Sequence, residues 1–248
     1  MTARISNEKV IETENLTKQF GEFIAVKGIS FDVKKGEIFG FLGANGAGKT
    51  TAMKMLIGIS NPSAGSAKVA SFDVAKDSDM VKKSIGYMSQ KFSMYDDLTV
   101  EENITFFGGI YGLSRKKIKS KTQELIAELQ LGNITKTRVG ALPLGWKQKL
   151  SFSVSLLHEP KIVFLDEPTG GVDPITRRQF WELIYAEANK GTTIFVTTHY
   201  MDEAEYCDRV SIMVDGVIEA LDSPKNLKQQ FQVASMNEVF LKLARNIE

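Results

Sequence analysis

The sequence has few of the features that mark secreted or membrane-spanning proteins. It holds a single cysteine, Cys207, among its 248 residues, so no internal disulfide can form and a reducing compartment is expected. No apolar run approaches the roughly 20 residues that a membrane-spanning helix needs. The N-terminal residues are polar and lack the apolar core of a signal peptide. We therefore expect any role at a membrane to depend on a partner protein.

The chain also lacks an excess of charge of either sign. It has 31 basic and 30 acidic residues and a formal net charge of +1. A protein that holds nucleic acid by bulk charge carries a clear basic excess, so we expect no nucleic-acid partner. Hydrophobic residues make up 43% of the chain and charged residues 25%. This composition is typical of a globular protein with a sizeable core.

A glycine-rich loop between an apolar run and a helical pattern is the most informative stretch. Residues 38–42 are apolar, residues 43–50 fit the pattern G-x-x-x-x-G-K-T, and residues 52–57 are apolar at helical spacing. Glycines let successive backbone N–H groups point at phosphate oxygens, and the next helix adds its positive end. We predict that Lys49 reaches the β- and γ-phosphates and that the Thr50 hydroxyl binds Mg²⁺. The predicted phosphate-binding residues are Gly43, Ala44, Asn45, Gly46, Ala47, Gly48, Lys49, Thr50 and Thr51.

Two acids follow a second apolar run. Residues 162–165 are apolar and lead directly into Asp166 and Glu167, as in a strand that is buried on both faces of a parallel sheet. Ligands gather at the carboxyl ends of such strands. We therefore predict that Asp166 holds Mg²⁺ beside Thr50 and that Glu167 is the general base for an attacking water.

Three further residues complete the predicted site. Gln90 ends a predicted strand and could bridge the metal and the water. His199 ends another and could donate to the γ-phosphate and hold Glu167 in place. Phe20 is a candidate for stacking on adenine, with ordinary strand packing as the open alternative. We interpret the other histidine, His158, as structural.

The remaining pattern predicts secondary structure around these motifs. A capping box at Thr99 and Glu102 should begin a helix, and the Asp-Gly pair at 215–216 should turn a hairpin. Strands are expected at residues 10–20 (an edge strand), 24–26, 29–33, 67–74, 85–89, 192–197, 210–214 and 217–221. Helices are expected at residues 79–84, 115–131, 177–189, 201–207 and 235–243, with another opening at residues 142–148. We predict a single domain, 1–248, made of a core with a β subdomain (1–90 and 159–230), a helical subdomain (91–158) and a tail (231–248).

In the order of its motifs, nearly the whole chain resembles the nucleotide-binding subunit of an ABC transporter. Besides the motifs above, residues 142–148 correspond to the signature region and residues 171–173 to the D-loop. The resemblance implies an α/β P-loop NTPase fold with a mainly parallel core sheet flanked by helices, an N-terminal antiparallel β subdomain and a helical insert. It also implies ATP and Mg²⁺ as cofactors and ATP hydrolysis as the reaction.

The resemblance further implies two partners. A second ATP-binding subunit, in a homodimer or heterodimer, would form an ATP sandwich in which Leu144, Gly145 and Asp173 approach the nucleotide of the other subunit. An integral membrane permease would dock near residues 90–95 and hold the chain on the cytoplasmic face of the cell membrane. Residues 90–111 and 238–241 look most like exporters of the ABC-2 type. The apolar loop at 92–95 could equally pack inside the helical insert.

The signature region departs from the family pattern, since residues 142–146 read Leu-Pro-Leu-Gly-Trp, and the change at Pro143 matters most. The signature usually reads Leu-Ser-Gly-Gly-Gln, but here Pro143 replaces the serine that donates to the phosphate. Proline has neither a hydroxyl nor an N–H, and a lost hydrogen bond to a charged group costs roughly 1.5–3 kcal/mol. The site could be a slower homodimeric ATPase or half of an asymmetric pair. Two other functions stay open: a soluble ABC-type protein that acts on ribosomes or DNA, and a regulatory module with little hydrolysis.

Overall fold

The structure is a computed structural model that describes residues 4–90, 94–129, 132 and 134–245. Within these residues it contains ten strands and eight α-helices. The strands are β1 (Lys9–Phe20), β2 (Phe23–Lys34), β3 (Ile38–Leu42), β4 (Ala64–Val69), β5 (Phe72–Asp73), β6 (Ile85–Met88), β7 (Ile162–Asp166), β8 (Thr193–Thr198), β9 (Arg209–Val214) and β10 (Val217–Asp222). The helices are α1 (Lys49–Leu56), α2 (Ser78–Ser84), α3 (Val100–Ile110), α4 (Arg115–Glu128), α5 (Leu144–Ser155), α6 (Pro174–Asn189), α7 (Pro224–Gln230) and α8 (Met236–Arg245). Short 3₁₀ helices lie at Val139–Ala141 and Met201–Tyr206.

The N-terminal strands form a four-stranded antiparallel sheet in the order β2-β1-β4-β5. The prediction that β1 is an edge strand is wrong, because Ile11 pairs with Val33 on one side and with Val69 on the other. The short strands predicted at 24–26 and 29–33 are one strand, β2. Its Gly28 has a φ of +73° and accommodates an irregular register without ending the strand. The strand predicted at 67–74 is instead β4 and β5, since the residues between them form a left-handed turn.

The larger sheet has six strands in the order β10-β9-β3-β8-β7-β6, and all its neighbours are parallel except β9 and β10. All five residues of β3 and all five of β7 are buried, so the prediction of strands covered on both faces is confirmed. The predicted β9–β10 hairpin is also confirmed. Asp215 and Gly216 have φ values of +47° and +88°, as the tight two-residue turn requires. The structure thus has the expected α/β fold with a mainly parallel core sheet.

The central strand β3 separates two hydrophobic cores. Phe39 and Phe41 face the small sheet, where Phe31 stacks on Phe39 with 5.5 Å between ring centroids. Ile38 and Leu42 face the opposite core, which α6, α7 and α8 cover. Each fully buried side chain of this size contributes about 1.5–3 kcal/mol through apolar burial. The loop that follows β3 therefore starts from a strand that is packed against hydrophobic cores on both faces.

Helices α3, α4 and α5 lie between β6 and β7 in sequence and share a third core of their own. The capping box that begins α3 is confirmed, because Thr99 accepts from the Glu102 backbone while the Glu102 carboxylate accepts from Thr99. Helix α4 ends at Glu128, where Leu129 is its C-cap, so it is shorter than the predicted 115–131; Leu131 itself lies outside the described residues.

One helix begins earlier than predicted, and another was not predicted at all. Helix α6 begins at Pro174 and not at Arg177, because Asp173 caps it and a proline suits the first helical position. Helix α7 was not predicted, since its seven residues are too few for a clear periodic pattern, although Ser223 caps it and Pro224 opens it.

None of the helices among the described residues is both long and apolar enough to cross a lipid bilayer.

Candidate functional site

The loop between β3 and α1 depends on glycine at two positions where the backbone is crowded. A Cβ atom at Gly43 would lie 2.3 Å from the carbonyl oxygen of Met213, and one at Gly48 would lie 2.4 Å from that of Ala25. Gly48 also has a φ of +102°, a conformation that other residues rarely adopt. The loop is therefore fixed by β2 and β9 behind it, while Gly46 has no heavy atom within 4 Å of its Cβ direction.

The β9–β10 turn braces the same loop, a role that the sequence analysis missed. The backbone N–H of Gly216 donates to the carbonyl of Ala47 over 3.1 Å. A Cβ at Gly216 would lie 3.0 Å from the carbonyl oxygen of Ala25. The only local signal was the Asp-Gly pair, which predicts a turn but not the contact that the turn makes.

A cavity of about 360 Å³ opens beside this loop. We call it the phosphate-loop pocket, and its lining residues are Phe23, Ala25, Asn45, Gly46, Gly48, Lys49, Thr50, Thr51, Gln90 and Glu167. Six predicted loop residues thus meet Gln90 and Glu167, which are far apart in the sequence. Sequence analysis did not identify Phe23 and Ala25. An aromatic residue three positions after Phe20 was the only available hint.

Lys49 is buried at the base of the pocket, with only 4% of its side chain exposed. Its ammonium donates to the carbonyls of Gly43 and Ala44 over 2.8 and 3.0 Å and lies 3.8 Å from Glu167 Oε1. Burial lowers the pKa of Lys49, and the nearby carboxylates of Glu167 and Asp166 oppose that shift. The Lys49 side chain is thus a cation that is shielded from water and hydrogen-bonded to the backbone of the loop.

Thr50 and Asp166 bring a hydroxyl and a carboxyl together from different elements. Thr50 Oγ1 lies 3.5 Å from Asp166 Oδ1, which also accepts from Thr197 Oγ1 over 2.7 Å. Burial raises the pKa of Asp166, while the Thr197 hydroxyl opposes the shift. Among the described residues, no group of three or more His, Cys, Asp or Glu side chains could enclose a metal ion. This oxygen pair suits a Mg²⁺ that keeps several waters and shares phosphate oxygens.

Glu167 lies at the centre of the polar contacts. Its carboxylate accepts from Gln90 Nε2 over 2.8 Å, and its Oε2 lies 3.1 Å from His199 Nδ1. Its backbone has a φ of +49°, which costs a non-glycine residue roughly 1–3 kcal/mol. Hydrogen bonds from the Glu167 N–H to the hydroxyl and carbonyl of Thr197 hold that conformation. Strained backbone of this kind is concentrated at functional sites, where it positions a side chain in advance.

The candidate residues of the signature region lie in a different cavity, of about 380 Å³. We call it the signature pocket, and its lining residues are Pro143, Leu144, Gly145, Trp146, Lys149, Gly171, Val172, Asp173, Thr176 and Gln179. The two pockets share no lining residue. The structure therefore does not bring Leu144, Gly145 and Asp173 into the phosphate-loop pocket of their own chain.

Within the signature pocket, the polar groups are satisfied locally or are lacking. Pro143 is the N-cap of α5 and provides no side-chain hydrogen bond. Asp173 caps α6 by accepting from the N–H groups of Ile175 and Thr176. Its bond from the Thr176 hydroxyl lowers the pKa of this exposed carboxyl.

Phe20 is the last residue of β1, directly before the turn to β2, and does not line the phosphate-loop pocket. It is 55% exposed, pairs with Phe23 across the turn and has the Lys18 ammonium 5.2 Å from its ring centroid. Phe23 is 66% exposed and does line the pocket. Of these two aromatic residues, Phe23 is the one that lines the phosphate-loop pocket.

Comparison with known proteins gave consistent relatives. Residues 26–170 match the sequence model of the family described as ABC transporter. The chain is 49% identical over 223 residues to the "Probable multidrug ABC transporter ATP-binding protein YbhF" of Escherichia coli (strain K12), covering 90% of this chain and 39% of that protein. It therefore spans well under half the length of this relative.

A second relative has a length closer to that of this chain. The chain is 34% identical over 247 residues to the "Linearmycin resistance ATP-binding protein LnrL" of Bacillus subtilis (strain 168), covering 96% of this chain and 79% of that protein. The fold is similar to a solved structure described as an ATP-binding subunit of an ABC transporter. That similarity has a TM-score of 0.85 and 26% identity and covers 95% of this chain and 99% of the other.

Proposed function

This chain belongs to the ABC transporter family as one of its ATPase domains, and we propose that it powers a membrane transporter that exports its substrate. Relatives named for multidrug transport, linearmycin resistance and, at 38% identity, Nod factor export support the direction of transport. These names favour a transport role over action on ribosomes or DNA. The ATP would be hydrolysed in the phosphate-loop pocket.

The observation that carries this proposal is the convergence of Gln90, His199 and Lys49 on the carboxylate of Glu167. A carboxylate held by an amide and next to an imidazole is suited to take a proton from a water. Lys49 would neutralise phosphate charge, and the loop N–H groups would hold the β- and γ-phosphates. His199 would donate to the γ-phosphate. Adenine would stack on Phe20, Phe23 or both.

Thr50 and Asp166 would hold Mg²⁺, with Gln90 near the ion and the attacking water. Their oxygen donors fit that ion, and its chemistry would be to neutralise charge on the phosphate oxygens. Because Asp166 is buried with a raised pKa, a cation nearby would favour its ionised form.

We propose that the active unit is a dimer in which each phosphate-loop pocket is closed by the signature pocket of another ATP-binding subunit. The separation of the two sets of lining residues within one chain supports this arrangement. Leu144 and Gly145 at the N-terminus of α5, together with Asp173, would face the triphosphate of the partner. The partner could be a second copy or a related subunit that carries a serine in place of Pro143.

We propose that a permease subunit docks beside Gln90 and holds the chain at the cytoplasmic face of the membrane. Tyr95 is 50% exposed, and its ring lies 4.8 Å from that of Phe106, which is 41% exposed. Exposed aromatic residues on a helical surface suit an apolar helix from a partner. Phe92 and Ser93, which belong to the predicted docking loop, lie outside the described residues.

Turnover of ATP tests the hydrolytic part of the proposal. Wild-type protein should hydrolyse ATP only with Mg²⁺, and Glu167→Gln should lower kcat by about 100-fold or more, since a general base contributes 10²–10⁴. Binding of ATP should persist. Glu182→Gln, at a carboxylate whose side chain is 67% exposed, is the matched control and should turn over normally. Equal rates for wild type and Glu167→Gln would contradict the proposal.

Co-purification tests the docking part. Tyr95→Asp should release the membrane subunit that purifies with the wild-type chain, while ATP binding stays intact. Ile59→Asp adds the same charge at another exposed apolar residue, 60% exposed, and should retain the subunit. Release by both variants, or by neither, would contradict docking at this surface.

The cap of α5 favours one alternative, a nucleotide-binding module with little hydrolysis. Pro143 provides no hydroxyl at the point where the family has a serine, and α5 has no side-chain cap. In that case ATP would bind and drive association of two subunits, but turnover would be as slow as in Glu167→Gln. The same assay therefore separates the two functions.

A further inference from the structure

The turn after Glu167 and the segment that carries His199 are joined by a buried carboxyl. Glu203 is fully buried in the 3₁₀ helix that follows His199. It accepts a hydrogen bond from the hydroxyl of Thr169 over 2.5 Å. Thr169 itself is 1% exposed and stands two residues after Glu167. The general base and the histidine segment are therefore tied together behind the pocket.

Arg177 extends this connection to the ring beside His199. Its Nε lies 3.6 Å from Glu203 Oε1, and its guanidinium lies 4.1 Å from the ring centroid of Tyr200. Tyr200 in turn lies against His199, with 4.2 Å between ring centroids. A planar guanidinium can pair with a carboxylate and stack on an aromatic ring at the same time, whereas an ammonium cannot do both as well.

These contacts close a circuit. From Glu167 they run through His199, Tyr200, Arg177, Glu203 and Thr169 and return along the chain to Glu167. Among the described residues, three buried atoms of the circuit make no hydrogen bond: Arg177 Nε, Glu203 Oε2 and His199 Nδ1. Unpaired buried polar groups are costly, so apolar side chains would make a more stable support if support were the only role.

We propose that Thr169, Glu203, Arg177 and Tyr200 form a positioning unit that sets the imidazole of His199 against Glu167 for ATP hydrolysis. The inference rests on the proposed function. Neither these four residues nor His199 line the phosphate-loop pocket, but Tyr200 contacts His199, and His199 lies beside Glu167, which does line it. The unit would therefore act through His199 on Glu167. Arg177 lies four residues after Asp173, so the unit also connects the signature pocket to the base.

The test combines kinetics with histidine NMR, because the chain has only two histidines. Isotope-labelled histidine gives signals from His199 and from His158, which is an internal reference. His158 instead stacks on Tyr111 at 4.0 Å and bonds to the carbonyl of Ile85, and neither partner belongs to the unit. The variant His158→Gln assigns the two signals.

Arg177→Met should shift or broaden the His199 signal and lower kcat about tenfold or more, since small misplacements of a catalytic group can cost 10²-fold. The KM for ATP and the His158 signal should stay near wild type. Arg178→Met is the matched control on the same helix, because Arg178 is 82% exposed and pairs with an exposed glutamate. It should change neither readout.

Thr169→Val is the milder variant and decides the question if Arg177→Met unfolds. It removes one hydroxyl at constant shape, and Thr169→Ser should restore both kcat and the His199 signal. Thr122→Val removes another buried hydroxyl, in the helical insert, and should leave both unchanged.

The inference is overturned if kcat falls while the His199 signal is unmoved, or if that signal moves without a change in kcat. It is also overturned if Thr169→Ser fails to rescue. Absence of wild-type ATP turnover would instead contradict the proposed function, and the shift of the His199 signal could still be observed.

Discussion

The phosphate-loop pocket and the signature pocket differ in how far their polar groups are organised within this chain. In the first, Lys49, Asp166 and Glu167 are mostly buried and contact one another or near neighbours. In the second, Asp173 is exposed and engaged as a helix cap, and Pro143 offers no polar atom from its side chain.

This difference indicates that the two pockets have different roles in binding the triphosphate. Desolvated charges in the phosphate-loop pocket interact strongly with a triphosphate because little water screens them. The signature pocket offers mainly a helix N-terminus and small residues, which suit a phosphate brought by another subunit. Substitutions test that contrast, first in the phosphate-loop pocket and then in the signature pocket.

The largest effect is expected for Asp166→Asn. Loss of the carboxylate that would hold Mg²⁺ should lower ATP turnover by about 100- to 1,000-fold, because metal stabilisation is worth several kcal/mol. The assay is turnover over a Mg²⁺ titration. Asp79→Asn, at a carboxylate whose side chain is 86% exposed, is the control. Turnover by Asp166→Asn near the wild-type rate would remove Asp166 from the metal site.

Asp166→Asn should lower turnover but raise the stability of the folded protein. A carboxyl whose pKa is raised by folding destabilises the folded state above that pKa, and the penalty disappears as pH falls through it. Burial raises the pKa of Asp166, so the nucleotide-free Asp166→Asn protein should melt higher at pH 7, by roughly 2–4 °C for each kcal/mol relieved. The gain should vanish near pH 3. A lower Tm at pH 7 would contradict it.

Lys49→Ala should weaken ATP binding by roughly 10- to 100-fold, since a hydrogen bond to a charged group is worth about 1.5–3 kcal/mol. Equilibrium titration with a fluorescent ATP analogue measures the change. Lys54→Ala on the same helix removes an exposed lysine and should bind normally. Unchanged affinity in Lys49→Ala would mean that the ammonium does not reach the phosphates.

Gly145→Ala tests the signature pocket by crowding the start of α5. The added Cβ would lie 2.5 Å from Thr176 Cγ2, so the Thr176 side chain or the start of α5 must shift. We expect turnover to fall about tenfold, equivalent to ~1.4 kcal/mol, while ATP affinity stays unchanged. Gly109→Ala is the control, since its Cβ would meet no heavy atom within 4 Å. A loss of ATP affinity in Gly145→Ala would contradict the separation of the pockets.

Pro143→Ser should give the smallest change, and it should be a gain. A serine adds a hydroxyl at the N-cap of α5, which is worth about 1 kcal/mol either to helix stability or to a phosphate contact. Turnover should rise a few-fold if the hydroxyl reaches the phosphate of the partner, whereas only Tm should rise if it caps α5. Pro224→Ser, outside both pockets, should raise neither. A loss of turnover would contradict the interpretation of Pro143 as a weakened signature.

Local sequence motifs predicted the phosphate-loop pocket better than the signature pocket. Residues 43–51 and 162–167 are short segments whose strand, loop and helix follow from their own sequence, so the fold class and the central elements could be predicted. The contacts from Gly216, Phe23 and Ala25 could not, because each depends on which strand lies beside the loop. The position of β1 inside its sheet required the pairing with β4, and no single-strand pattern reports it. The circuit through Arg177 and Glu203 joins residues 26 positions apart in the sequence and left no local signal.

The most direct test of a site shared between two subunits is complementation between two damaged chains. Lys49→Ala and Gly145→Ala should each turn over slowly alone. In a mixed dimer, one phosphate-loop pocket with an intact Lys49 would face one intact Gly145. We predict that an equimolar mixture hydrolyses ATP faster than the mean of the two separate rates. A mixture no faster than that mean, at concentrations where ATP brings the subunits together, would contradict the account.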